Sequence, residues 1–102
     1  MSKIRAIVKR PDEPVGHVTN ISNTLENFQR TVGGHIEKVT IAEDVVLLCN
    51  EEGAINGMPF NCRVLGMYLF GPIVLVGVDG EEFADLPADI KLKHWKGMIE
   101  GK

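Results

Sequence analysis

The sequence predicts an α+β domain: a mixed, mainly antiparallel sheet of about four to five strands with two helices packed on it. Three observations support this prediction. Several short segments alternate in polarity or are continuously apolar, two segments carry helix-start signals, and glycine- and asparagine-rich turns separate the segments. A chain of 102 residues suits one domain, so residues 1–102 are expected to form a single α+β domain.

Two strands and one helix are predicted in the first third of the chain. Lys3–Lys9 alternates in polarity, which predicts a half-buried strand, and Val15–Thr19 is a short segment that can pair back on it. Asn23 is predicted to cap the following helix, because Glu26 stands at the capping-box position three residues later. The glycine pair that begins at Gly33 is predicted to end that helix through a left-handed residue.

The centre of the chain predicts a β-hairpin. His35–Ile41 alternates in polarity, and Val45–Cys49 is a continuous apolar run, typical of a central strand buried on both faces. The short polar connection between these two segments favours antiparallel pairing. Beyond them, Ala54–Ile55 has room only for a very short strand, and residues 62–70 remain open between helix and strand because Gly66 disfavours both.

One strand, its return and a helix are predicted in the last third. Ile73–Val78 is the clearest strand in the chain, and the Asp-Gly turn that follows leads to a return segment around Phe83. Asp85 is the predicted cap of the final helix, with Pro87 in its first turn. Residues 101–102 are expected to fray.

Composition and charge limit the possible functions. The net charge of −3 offers no basic stripe for nucleic acid, so no direct DNA binding is expected. One local cluster of basic residues on the final helix is typical of a solvated helix face, and it consists of Lys91, Lys93, His94 and Lys96. The two cysteines are too few for a disulfide scaffold, and no apolar run has membrane-spanning length, so a cytoplasmic protein is expected.

Residue types that catalyse reactions or bind metals do not stand in the required patterns. No two histidines have i, i+4 spacing and no Cys/His set has zinc-finger spacing, so neither a metal site nor a cofactor is predicted. Cys49 and His35 are one possible dyad, although a free cysteine at the end of an apolar strand usually packs as a small hydrophobe. The pair Glu51-Glu52 is expected to stay solvated in a turn. No catalytic residue is therefore assigned.

Polar residues gather just after the buried strand Val45–Cys49. One interpretation is turn chemistry, because asparagine and glycine tolerate positive φ. The other is that amide and carboxylate side chains project from loops on a rigid sheet into a shared cleft and bind a ligand there. On this second interpretation the predicted ligand-binding residues are Asn50, Glu51, Glu52, Asn56, Phe60 and Asn61.

Apolar and aromatic residues between positions 58 and 70 exceed what a small core can absorb. They are Met58, Phe60, Met67, Tyr68, Leu69 and Phe70. Because large exposed apolar patches usually mark interaction surfaces, we predict a homodimer or higher homo-oligomer that buries part of this set.

Several blocks of the sequence resemble a small domain family of unknown function that occurs in phages, plasmids and mobile elements. The blocks are Asn-Thr-Leu-Glu at 23–26, Gly-Gly-His-Ile-Glu at 33–37, Val-Val-Leu-Leu-Cys-Asn-Glu-Glu-Gly at 45–53, Asn-Gly-Met-Pro-Phe-Asn at 56–61 and Ile-Val-Leu-Val-Gly-Val-Asp-Gly-Glu-Glu-Phe at 73–83. The resemblance implies a genetic setting and supplies no catalytic residues. A phage protein would act in the host cytoplasm.

Three functions remain open at this point. The favoured one is a non-catalytic binding protein that inhibits host defence, either by sequestering a small-molecule nucleotide signal or by binding a host protein. The second is a small hydrolase that depends on Cys49 or on the Glu51-Glu52 pair. The third is a structural or regulatory protein of a mobile element.

Overall fold

A large β-sheet forms the centre of the structure, and a small second sheet packs against one of its faces. The structure is a computed structural model that describes residues 2–100, so the expected fraying of residues 101–102 lies outside it. In chain order, the elements are β1 (Lys3–Lys9), β2 (His17–Ser22), α1 (Leu25–Val32), β3 (Ile36–Ala42), β4 (Val45–Asn50), β5 (Phe60–Val64), β6 (Met67–Phe70), β7 (Ile73–Asp79), β8 (Glu82–Ala84), α2 (Leu92–Met98) and β9 (Ile99–Glu100).

The large sheet has the strand order β2-β1-β7-β4-β3, and β8 pairs with the second half of β7. The small sheet has the order β6-β5-β9. Every strand pairing within residues 2–100 is antiparallel. The α+β prediction with a mainly antiparallel sheet and two helices is confirmed, with six strands in the large sheet and three in the small one.

Two hydrophobic clusters cover the two faces of the large sheet, because strand side chains alternate between faces. On one face, Val46 and Leu48 of β4 pack with Phe28 and Val32 of α1. On the other face, a second cluster joins the large sheet to the small sheet and to α2, and its largest member is Trp95. The apolar run of β4 is buried on both faces, as its composition predicts.

The cap of α1 differs from the prediction. Thr24, not Asn23, is the N-cap, and its hydroxyl oxygen accepts a hydrogen bond from the Asn27 amide at 3.1 Å. The Asn23 side chain donates instead to the Phe83 carbonyl at 2.9 Å. It therefore forms a tertiary hydrogen bond and not the helix cap predicted from the local sequence. The predicted left-handed end of the helix is confirmed at Gly33, where φ is 83°.

The final helix starts six positions later than predicted: its N-cap is Lys91 rather than Asp85, and its first residue is Leu92. A carboxylate oxygen of Asp85 accepts from the Arg5 amide at 2.6 Å. The Arg5 guanidinium donates to the carbonyls of Leu86 and Pro87 at 2.8 and 2.6 Å. These bonds hold the segment after β8 as a loop along β1, because the Leu86 and Pro87 carbonyls accept hydrogen bonds from Arg5 and not from helical backbone amides.

Two further segments are settled by the structure. The very short strand predicted at Ala54–Ile55 is wrong, since residues 51–57 form a continuous turn. Residues 62–70 are strand rather than helix: β5 and β6 form a hairpin around Leu65 and Gly66, both of which have positive φ. Such a two-residue turn matches the twist of paired strands, which is why Gly66 does not break the hairpin.

Candidate functional site: a cleft beside β6

A cleft of about 350 Å³ opens where the small sheet leaves part of the large sheet uncovered. We call it the β6 cleft. Its lining comes from β3, β4, the turn after β4 and the whole of β6, and consists of Glu37, Val39, Cys49, Asn50, Glu51, Gly53, Ala54, Met67, Tyr68, Leu69 and Phe70.

The floor of the β6 cleft is one face of the β3–β4 hairpin. Glu37 and Cys49 are cross-strand partners, and Val39 follows Glu37 by two positions, so the three side chains share one face. The turn after β4 closes one end of the cleft. A Cβ atom at Gly53 would lie 2.9 Å from the Phe70 carbonyl oxygen, so this turn packs directly against the end of β6.

The wall of the cleft is the free edge of β6. All four residues of this strand line the cleft, although successive side chains of a strand point to opposite faces. Contact with four consecutive residues is the pattern of a cavity that runs along the strand edge. Within residues 2–100, β6 pairs with β5 alone, so this edge has no strand partner.

The cleft is acidic. Its described lining contains two carboxylates, Glu37 and Glu51, and no lysine, arginine or histidine. Both glutamates are exposed residues, so solvent screens their charges, but no cation of the lining offsets them. The cleft therefore favours a cationic group over an anionic one.

Cys49 lies in the floor and has the environment of a structural thiol. Burial, with a smaller contribution from the nearby Glu37 charge, raises the pKa of Cys49 from 9.0 to about 11. Its thiol contacts the Glu37 carbonyl at 3.9 Å, and the sulfur is buried. Because the thiolate is the nucleophile, this environment opposes covalent chemistry at Cys49.

Asn50 borders the cleft, but its amide joins two structural elements. The side-chain nitrogen donates to the Val32 carbonyl at the end of α1, at 3.2 Å. The side-chain oxygen accepts from the Glu52 amide at 2.8 Å, which forms the turn after β4. The buried side chain therefore shapes the cleft entrance and is already engaged within the protein.

Asn61 is also buried and does not line the β6 cleft. Its amide nitrogen donates to the carbonyls of Lys9 and Gly71 at 2.9 and 2.8 Å. Its side-chain oxygen accepts from the Lys9 ammonium at 2.7 Å. Asn61 thus ties β1, β5 and the residue after β6 together.

The other three predicted ligand-binding residues lie elsewhere. Glu52 and Asn56 are exposed on the turn after β4 and are not in the cleft lining. Phe60 is about half exposed and borders a separate, open, mainly apolar pocket of about 490 Å³ with Pro11, Pro59 and Pro72. The structure therefore brings together Asn50 and Glu51 of the predicted set and separates the remainder.

Glu37, Val39 and the β6 residues of the cleft were not predicted as site residues. The alternation of β3 places Glu37 on the same strand face as Val39, but by itself it indicates no binding role for that face. The undecided state of residues 62–70 concealed β6 and its free edge. A two-residue turn at Leu65-Gly66 is the signal that would have indicated this hairpin.

Neither a metal centre nor a membrane span is found in the part of the chain that the structure describes. Histidine, cysteine, aspartate and glutamate side chains of residues 2–100 form no group of three that could hold a metal ion. No helix among these residues is long and apolar enough to cross a bilayer.

The fold and the cleft define a small α+β domain with a concave site between two antiparallel sheets. Residues 4–100 match the family model described as domain of unknown function (DUF3846), and the chain belongs to this family. Comparison with curated proteins and with solved structures finds no significant match. The resemblance to a domain family of unknown function is thereby confirmed.

Proposed function

We propose that this chain is a non-catalytic binding protein that captures a partner in the β6 cleft. The observation that carries the proposal is the cleft itself, which combines a partly apolar floor, two carboxylates and an unpaired strand edge. Concave sites bordered by loops on a rigid sheet are common places for binding. Asn50 and Glu51, two of the residues predicted from sequence, border this site.

A protein partner fits the cleft better than a nucleotide signal. The phosphates of a nucleotide would meet Glu37 and Glu51 without any compensating cation in the described lining. A basic segment of a protein would meet favourable charge at the same positions. The charge of the lining thus supports the second of the two binding modes expected from sequence.

Binding is also favoured over the hydrolase alternative. The raised pKa of Cys49 keeps the thiol protonated at neutral pH. His35 directly precedes β3, and its backbone carbonyl accepts a hydrogen bond from the Glu51 backbone amide at 3.0 Å. The cross-strand partner of Cys49 is Glu37, so an acidic residue and not His35 stands opposite the thiol.

The genetic setting suggests which partner to look for. The sequence blocks quoted above resemble domains of phages, plasmids and mobile elements, where small proteins often act on host defence. We therefore propose a host defence protein as the partner and the host cytoplasm as the place of action.

Affinity capture from an extract of the bacterium that carries the gene tests the binding function. Three baits are compared: the wild type, Glu37→Lys in the cleft floor and Glu81→Lys in the exposed turn before β8. We expect one protein to be retained in stoichiometric amount by the wild type and by Glu81→Lys. Glu37→Lys should retain at least about ten-fold less, because it places a cation against a basic partner.

Equal retention by all three baits would refute the assignment of the cleft. Multiple turnover of a substrate by the purified chain, lost in Cys49→Ala, would favour the hydrolase instead. The defence role has its own readout: expression of the wild type should raise the plaquing efficiency of a phage on a defended host, and Glu37→Lys should not.

A further inference from the structure

The free edge of β6 has backbone groups available for pairing with another chain. An edge strand presents a row of unpaired N–H and C=O groups and can accept an additional strand. Proteins usually protect such edges with a covering loop, a proline or a charged side chain. Met67–Phe70 contains neither proline nor charge, and the turn after β4 reaches only its end at Phe70.

The turn of the β5–β6 hairpin defines which backbone groups face the cleft. Val64 and Met67 flank the two-residue turn and are cross-strand partners, which makes them a mutually hydrogen-bonded pair. Backbone groups alternate along an antiparallel strand, so those of Leu69 also point to β5. The N–H and C=O groups of Tyr68 and Phe70 therefore point away from β5. The Phe70 C=O lies against the turn at Gly53, and the other three groups face the cleft.

The opposite wall defines the side chains that an added strand would carry. A strand paired with β6 would lie about 4.8 Å from it, above the face formed by Glu37, Val39 and Cys49. Every second side chain of that strand would meet this face. Val39 and the buried Cys49 suit an apolar residue, and Glu37 suits a lysine or arginine.

We propose that the occupant of the β6 cleft is an extended segment of a partner protein that pairs with β6 as an additional strand and directs a lysine or arginine toward Glu37. This inference rests on the proposed binding function and specifies its ligand. Backbone hydrogen bonds to Tyr68 and Phe70 are available to an extended segment of any sequence. Glu37 and Val39 select the side chains.

Selection of short random peptides from a display library on the immobilised wild-type chain provides the probe. We expect the enriched peptides to contain β-branched residues and at least one lysine or arginine. A synthetic copy of an enriched peptide is then titrated by fluorescence anisotropy. Glu37→Gln should weaken its binding about five-fold, the size of an exposed charge pair, and Glu81→Gln should leave it unchanged.

Backbone methylation of the same peptide tests strand pairing without altering the protein. Each peptide N–H is replaced in turn by N–CH₃, which removes one donor. If the peptide pairs with β6, methylation should weaken binding at least about ten-fold at no more than two positions, two residues apart, and have little effect at the position between them. Amide exchange provides a second readout: Tyr68 and Phe70 should become protected on binding, whereas Leu69 is already bonded to β5.

The outcomes separate this inference from the proposed function. If methylation shows no period of two while Glu37→Gln still weakens binding, the cleft binds but strand addition is overturned. If the peptides neither respond to Glu37→Gln nor protect cleft amides, they bind elsewhere, and the peptide inference is overturned. A library without binders overturns the peptide inference, and the extract capture with Glu37→Lys still decides the binding function.

Discussion

At the scale of single residues, two buried asparagines join the elements around the candidate site. Asn50 connects the end of α1 to the turn after β4, and Asn61 connects β1 to the residue after β6. Every buried side-chain nitrogen and oxygen of the described residues has a hydrogen-bond partner. Removing one partner from such a bond leaves a buried group unsatisfied, which costs more than the bond contributes.

Asn50→Ala should lower the free energy of unfolding by about 1–3 kcal/mol, because the Val32 carbonyl and the Glu52 amide both lose their partner. Asn56→Ala is the matched control. Asn56 is exposed on the neighbouring turn, so its replacement should change stability by less than about 0.5 kcal/mol. Urea denaturation of the three proteins measures both values. Equal stability of Asn50→Ala and the wild type would contradict the structural role of this amide.

Cys49 should react slowly with iodoacetamide in the native protein. A rise in pKa from 9.0 to about 11 leaves about a hundred-fold less thiolate at pH 8 than an ordinary thiol has, and the neutral form persists until the pH approaches 11. Peptide-level mass spectrometry compares the rate in buffer with the rate in guanidinium chloride. Similar rates in the two solvents would show a reactive thiol and revive the hydrolase hypothesis.

At the scale of elements, β7 organises the large sheet. It pairs with β1 and β4, and its second half also pairs with β8, so its residues have neighbours on both sides. All residues from Ile73 to Gly77 are buried. The loop after β8 crosses this strand closely at Gly77, where no side chain can fit.

Gly77→Ala should destabilise the protein by about 2–3 kcal/mol. A Cβ atom at Gly77 would overlap the backbone carbonyl of Asp85, and backbone cannot move aside as a flexible side chain can. Gly97→Ala in α2 provides the opposite case, because a Cβ atom there meets nothing within 4 Å. Alanine is the better helix former, so Gly97→Ala should stabilise by about 0.5 kcal/mol. Thermal unfolding distinguishes the two, and a neutral Gly77→Ala would refute the predicted overlap.

At the scale of the whole molecule, the outer face of the small sheet exposes a group of aromatic rings. Phe60 is 51% and Tyr68 62% exposed, and the Phe60 ring centroid lies 5.7 Å from Phe70 and 6.1 Å from Tyr68. We call Phe60, Tyr68 and Phe70 the aromatic face. Leu69, which was grouped with these residues from sequence, is buried in the core instead.

The predicted homo-oligomer would use the aromatic face. Size-exclusion chromatography with light scattering should give at least twice the 11.2 kDa chain mass at micromolar concentration. Phe60→Ser should shift the protein to a monomer. Ile55→Ser is the control, since Ile55 is 83% exposed on the turn after β4 and outside this face. A wild type that is already monomeric would refute the oligomer.

Local patterns sufficed for most of the elements. Alternation identified β1 and β3, a continuous apolar run identified β4 as a central strand, and Gly33 marked the end of α1. These features depend on each residue and its near neighbours in sequence. They could be predicted because a buried sheet face requires apolar residues at alternate positions, and a positive φ favours glycine.

The candidate site could be predicted only in part. Asn50 and Glu51 do border the cleft, but Glu37 and the β6 edge reach it through pairings between distant segments. Asp85 also has a distant partner: it resembles a helix cap in sequence, but in the structure its carboxylate accepts a hydrogen bond from the Arg5 backbone amide. Local propensity leaves such polar groups with several possible partners.

The sequence by itself therefore determined the α+β class, the positions of most strands and the absence of a recognisable catalytic pattern. Only the tertiary structure decided that residues 60–70 with β9 form a separate sheet, that Asn50 and Asn61 are engaged inside the protein and that an acidic cleft remains beside β6. The physical reason is that buried polar groups and strand edges take the partner that the complete fold brings within reach.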